Sequence, residues 1–186
     1  MRIGAVIALC TLLASGVFAA EPKRVILLVS EQNIEAPQRA WWASEVDLSA
    51  TEGAISRQLI ASGYEVIDPD SVSGIIEKKQ AFRTINMSEK TSLQLGQLSK
   101  ADYVVLGKAV ASAGGNVPQS SMRSCFANLT AKVIRVKDGK TIAFFESAGH
   151  SAHMDPITGG REALIIGADD LAIKISTALS KDSGGN

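Results

Sequence analysis

Between Arg123 and Lys137 apolar and polar residues alternate. Cys125, Ala127, Leu129, Ala131 and Val133 fall on one face, and Asn128, Thr130 and Lys132 on the other. A period of two marks a strand with one face in a core and one toward solvent. Asp138-Gly139 follows, a dipeptide suited to a tight antiparallel turn. Lys140 to Ser147 then supplies the partner strand, with Ile142 and Phe144 on one face. A long hairpin is therefore predicted in the second half of the chain, and the rest of the fold has to be built around it.

The first half reads differently. Arg24 to Ser30 is nearly continuous apolar sequence, the pattern of a strand buried on both faces. Glu31 to Val46 is polar and irregular, broken at Pro37. Asp47 or Ser49 then caps a helix, and Ser49 with Glu52 forms a capping box. Its apolar face is Leu48, Ile55, Leu59 and Ile60, and Gly63 stops it. Tyr64 to Ile67 is a short strand, Asp68-Pro69-Asp70 a turn, and Ser71 to Lys79 a short helix. Ser88 to Leu98 is another helix, with Leu93, Leu95 and Leu98 as its apolar content. Ala101 to Ala111 is a strand, Ser112 to Ser120 a loose connection, and Gly159-Gly160 precedes a closing helix from Arg161 to Leu179. The predicted class is α/β, at the border of α+β. One mixed sheet carries packed helices in the order β-α-β-α-α-β-β-β-α.

Arg2, the apolar run Ile3 to Ala14 and the small residues up to Ala20 follow the grammar of a cleavable secretory signal peptide. The run is too short for a comfortable membrane span. The expected organisation is a signal peptide over 1–20, a single α/β domain over 21–180 and a disordered tail over 181–186, with the mature protein in the periplasm. Cys10 would leave with the leader, so Cys125 stands alone and forms no intramolecular disulfide. Its place in a strand favours a buried, inert thiol. Nineteen basic and nineteen acidic residues balance, which gives no broad field for nucleic acid.

Chemistry-bearing residues are few. Glu146, His150, His153 and Asp155 fall within ten residues and carry side chains that suit zinc or a similar ion. The segment GHSAHMDP reads as a loop leaving a strand, and H-x-x-H outside a helix is not a catalytic spacing. Trp41 and Trp42, flanked by Arg39 and Glu45, are candidate partner-binding anchors on the irregular segment. Lys132, Arg135, Lys137 and Lys140 form a basic patch around the hairpin turn, best read as an edge kept soluble. The chain has no nucleophile elbow and no phosphate-binding glycine motif. No cofactor is expected.

Three stretches carry a family resemblance: ADYVVLGKAV (101 to 110), FANLTAKVIRVKDGKTIAFFES (126 to 147) and ALIIGADDLAIKISTAL (163 to 179). Together with LSATEGAISRQLIASGYEVIDPDSV (48 to 72), they resemble the small α/β domain of bacterial envelope proteins. That group includes the TolB amino-terminal domain, the curli-secretion channel lipoprotein and the lipoprotein activators of penicillin-binding proteins. The resemblance spans roughly Lys23 to Leu179, and its motifs are structural. It implies a non-catalytic periplasmic adaptor that binds envelope proteins or assemblies, with self-association available through a sheet edge. It does not carry over the lipid anchor, a propeller or membrane-crossing hairpins. Two other readings are a metal- or small-ligand-binding protein using His150 and His153, and an uncharacterised hydrolase.

Overall fold

The computed structural model describes residues 21–34, 49–67 and 89–184. Its elements are β1 (Arg24–Gln32), α1 (Ala50–Ala61), β2 (Glu65–Ile67), α2 (Glu89–Leu98), β3 (Tyr103–Asn116), β4 (Arg123–Arg135), β5 (Thr141–His153) and α3 (Pro156–Ser183). The strands form one five-stranded sheet in the order β2-β1-β3-β4-β5. β1 runs parallel to β2 and β3, whereas β3, β4 and β5 are antiparallel neighbours. The sheet is mixed, as the sequence pattern predicts. The expected helix Ser71 to Lys79 lies outside the described residues, as do the leader and the Arg39–Trp42 stretch.

Alternation along the strands divides the core in two. Val25, Leu27 and Val29 of β1, Val105 of β3, and Leu129 and Val133 of β4 face α1 and α3. Those helices contribute Ile55, Leu59, Leu164, Leu171, Ile175 and Leu179. On the opposite face Ile26, Leu28 and Val104 meet Leu95 of α2, with Ala101, Val136 and Ile67. Each fully buried Leu or Ile contributes about 1.5–3 kcal/mol relative to exposure, so the larger layer dominates stability. Among the described residues α2 covers only one end of its face, and the outward side chains at the far ends of β3, β4 and β5 are exposed.

Several boundaries depart from the sequence reading. β3 runs on to Asn116 rather than ending at Ala111. The Phe126 side chain lies over Gly114, where an added Cβ would come within 2.6 Å of the ring, and the register shifts between Ala113 and Asn116. An aromatic ring thus covers a glycine that by itself favours a loop. β5 runs on to His153, so GHSAHMDP is not a loop. Cross-strand pairing from Ala127–Gly149 to Arg123–His153 holds it extended despite its small residues. Ile142 and Phe144 do not share a face. Val133 pairs with Ala143 and Ile134 with Thr141, leaving Ile142 as the extra residue of a bulge. Ile142 packs on the larger core, and Phe144 is 71% exposed.

The closing helix starts five residues earlier than expected. Asp155 is its N-cap, accepting the Thr158 N–H at 2.9 Å and the Ile157 N–H at 3.4 Å, and Pro156 follows at the first position. Gly159 and Gly160 lie inside the helix because they are contact points: a Cβ on Gly159 would reach Cys125 Sγ at 2.6 Å. α3 then ends at Ser183, which takes it into the segment expected as a tail. Ile60, read as part of the α1 apolar face, is 61% exposed. Among the described residues no helix is long and apolar enough to cross a membrane.

Candidate functional site: the open face of the sheet

The part of the sheet that α2 leaves open carries the exposed side chains of β3, β4 and β5. Lys108 and Ser112 come from β3, Phe126, Asn128 and Thr130 from β4, and Phe144, Glu146, Ala148 and His150 from β5. Antiparallel register sets them side by side: Phe126 opposite His150, Asn128 opposite Ala148, Thr130 opposite Glu146 and Lys132 opposite Phe144. Such cross-strand neighbours lie about 4.5–5.5 Å apart at Cβ, so the face forms one contiguous polar–aromatic platform. The Lys132 ammonium sits 5.2 Å from the centroid of the Phe144 ring, a cation–π contact. Phe126 is 47% exposed. Two exposed aromatic rings on a rigid sheet are costly to hydrate; Phe126 also covers Gly114, and Phe144 is 71% exposed.

The four expected metal-capable residues do not converge. Alternation places Glu146 and His150 on the open face, while His153 belongs to the opposite set of β5 positions. His153 Nδ1 accepts the Asp155 N–H at 3.0 Å, and the Asp155 carboxylate is engaged as the α3 cap. The Thr158 hydroxyl and backbone N–H hold the Asp155 carboxyl below the usual carboxylate range. No group of three or more metal-ligating side chains occurs among the described residues. The loop that would have gathered the four side chains is a strand, and a strand separates them.

The outer edge of β5 is partly occupied. Lys174 Nζ donates to the Glu146 carbonyl at 2.9 Å and pairs with Asp170 at 2.6 Å. Ser147 Oγ lies 2.8 Å from both the Gly167 carbonyl and Asp170. Lys174 and Ser147 together hold the Asp170 carboxyl below its ordinary value. An open depression of about 530 Å³ lies along this edge, lined by Asn128, Thr130, Glu146 and Lys174 among others.

Other sequence candidates resolve simply. Cys125 is fully buried and burial pushes its thiol pKa up, the opposite of an activated nucleophile. The basic patch is split: Arg135 pairs with Asp138 at 3.2 Å and Asp182 at 3.3 Å, tying the α3 end to the hairpin, while Lys137 and Lys140 are exposed. Arg39, Trp41 and Trp42 lie outside the described residues. Sequence reading missed Phe126 and Phe144 as surface features. The signal was present, since Phe126 occupies an outward position of the alternating strand, but the bulge that turns Phe144 outward leaves no mark in the pattern.

The fold is an α/β domain of one mixed sheet, with one sheet surface that no described helix other than α2 covers. No protein-family profile matches the chain, and no curated protein matches it. Solved structures resemble it at low identity. A hypothetical protein of Chlamydia trachomatis is 16% identical over 85% of this chain and 95% of that one, with a TM-score of 0.50. The LpoB C-terminal domain from Salmonella enterica is 15% identical over 73% of this chain and 86% of that one, TM-score 0.43. The lipoprotein GNA1162 from Neisseria meningitidis is 15% identical over 89% of this chain and all (100%) of that one, TM-score 0.44.

Proposed function

We propose that this protein is a non-catalytic accessory protein of the bacterial cell envelope. In this reading it works in the periplasm after removal of its leader and binds an envelope protein through the open face of β3, β4 and β5. The observation that carries the reading is the exposure of Phe126 and Phe144 on a rigid sheet, surrounded by hydrogen-bonding side chains. Aromatic anchors rimmed by polar groups are the usual composition of a protein-binding patch. The signal-peptide grammar of 1–20 and the sequence resemblance over roughly Lys23 to Leu179 support the envelope setting. In this reading the domain is of the kind found in the TolB amino-terminal domain, the curli channel lipoprotein and the penicillin-binding-protein activators. Arg39, Trp41 and Trp42 are proposed as a second contact region. Self-association would use the outer edge of β5.

The test is cross-linking in intact cells followed by purification. Three proteins are compared: the natural chain, a Phe126→Ser/Phe144→Ser variant and a Trp41→Ala/Trp42→Ala variant. The expected result is a discrete envelope partner that the sheet-face variant loses. A partner that only the tryptophan variant loses moves the interface to that segment. An absence of envelope partners from all three overturns the proposal.

A further inference from the structure

β5 is the outermost strand of the sheet, and hydrogen-bond alternation lays out its outer edge. The Arg135 N–H donates to the Lys140 carbonyl and the Val136 N–H to the Asp102 carbonyl. Odd-numbered residues of β4 therefore turn their backbone groups to β5, and even-numbered ones to β3. The register pairs odd with odd: Ala131 with Phe145, Leu129 with Ser147, Ala127 with Gly149. Phe144, Glu146, Ala148, His150 and Ala152 thus direct their N–H and C=O groups away from the sheet. Among the described residues the partner on this row is Lys174 Nζ, 2.9 Å from the Glu146 carbonyl. Edge strands are ordinarily blunted by proline, lysine or bulges. From Ala143 to His153 this strand has no proline, lysine or arginine, and its bulge lies before that stretch, at Ile142.

The helix above the edge adds an apolar flank. Gly159 of α3 lies against Cys125 and His153, and Gly167 against Leu129 and Gly149, so α3 runs over the seam between β4 and β5. Its Asp170 accepts the Ser147 hydroxyl at 2.8 Å and its Lys174 reaches Glu146, which marks the flank of α3 above the outer edge. Ile166 and Ile173 lie four residues before and three after Asp170, on that same flank. They are 48% and 56% exposed.

We propose that two copies of this chain join edge to edge through β5, antiparallel about a two-fold axis at Ala148, into one continuous sheet. This deepens the self-association reading given above and rests on it. Charge selects the register. An axis at Glu146 or at His150 sets like groups opposite each other, and one at Ser147 or Gly149 leaves both facing alanine or phenylalanine. With the axis at Ala148, each Glu146 lies opposite His150 of the other copy, and each Phe144 opposite Ala152. Every residue of the outward row then meets another outward residue, so their backbone groups pair. Lys174 gives up the Glu146 carbonyl and keeps Asp170, at 2.6 Å. With each α3 over a seam half a strand spacing inside its edge, the two helices lie about 10 Å apart, a helix-packing distance. Ile166 then packs against Ile173 of the other copy.

Sedimentation of the purified protein across a concentration series, read together with disulfide trapping, tests the arrangement. A reversible dimer is expected. Ala148→Cys should cross-link across the axis on mild oxidation, because facing residues of such a pair lie about 5.5 Å apart at Cα, within disulfide range. Asn128→Cys, beside Ala148 on β4, should not. Glu146→Lys should weaken the dimer about tenfold by removing two cross-strand pairs. Ile166→Lys, on the exposed flank of α3, should weaken it at an unchanged Tm. A protein that stays monomeric throughout overturns the proposal and the self-association reading together. A dimer in which Ala148→Cys fails to cross-link overturns the β5 register alone.

Discussion

The β4–β5 hairpin presents two faces that obey the same alternation and opposite constraints. Under α3 the side chains are small or aliphatic and buried: Cys125, Ala127, Leu129, Ala131, Ser147 and Gly149. On the far side Phe126, Asn128, Thr130, Phe144, Glu146 and His150 are exposed. The helix explains the first set. It runs so close to β5 that a Cβ on Gly149 would overlap the Ala163 carbonyl, and one on Gly167 would overlap the Leu129 side chain. Among the described residues no comparable neighbour covers the second set. One face is dictated by packing, and the other is where a binding function has room to act.

The comparison breaks most sharply at the seam. Gly149→Leu should cost about 3 kcal/mol or more, because backbone rather than a movable side chain meets the new atoms. Thermal unfolding by circular dichroism would show a large drop in Tm or no cooperative transition. Leu171→Ala, fully inside the larger core, should cost about 2–5 kcal/mol in denaturant titration at unchanged m-value. Removing the Asp155 cap by Asp155→Ala should lower the unfolding midpoint in the same assay by less than Leu171→Ala does, through the freed Ile157 and Thr158 amides.

On the open face the same scale should shrink. Phe126→Ser with Phe144→Ser should change unfolding free energy by about 1 kcal/mol or less, while abolishing partner capture. A loss of several kcal/mol would show that these rings belong to the fold and not to an interface. Smallest of all, Lys132→Ala should cost about 0.5 kcal/mol at the exposed Phe144 ring. Its sharper readout is the salt dependence of partner binding.

Much of the fold was legible from residue patterns. The alternation of 123 to 137 and the Asp138-Gly139 turn placed β4 and the hairpin, and Ser49 with Glu52 placed the start of α1. These signals are local, carried by neighbours in sequence. The ends of β3 and β5 were not legible, because Gly114, Gly115 and the run Ala148–Ala152 have little strand preference of their own. Partner strands and α3 keep them extended. The histidine cluster misled for the same reason: nearness along the chain suggested convergence, while a strand sends successive side chains to opposite faces.

The sequence by itself determined the class of fold, the hairpin, the Ser49 cap of α1 and the buried face of β4. Periodicity and turn chemistry are properties of a few consecutive residues, and they need no knowledge of the rest. Tertiary structure alone decided that Phe144 is exposed beside the bulge, that α2 covers only one end of its sheet face, and that Glu31 and Glu52 meet at the start of α1. Each of these depends on which distant segments meet, and burial, exposure and proton affinity are consequences of that meeting.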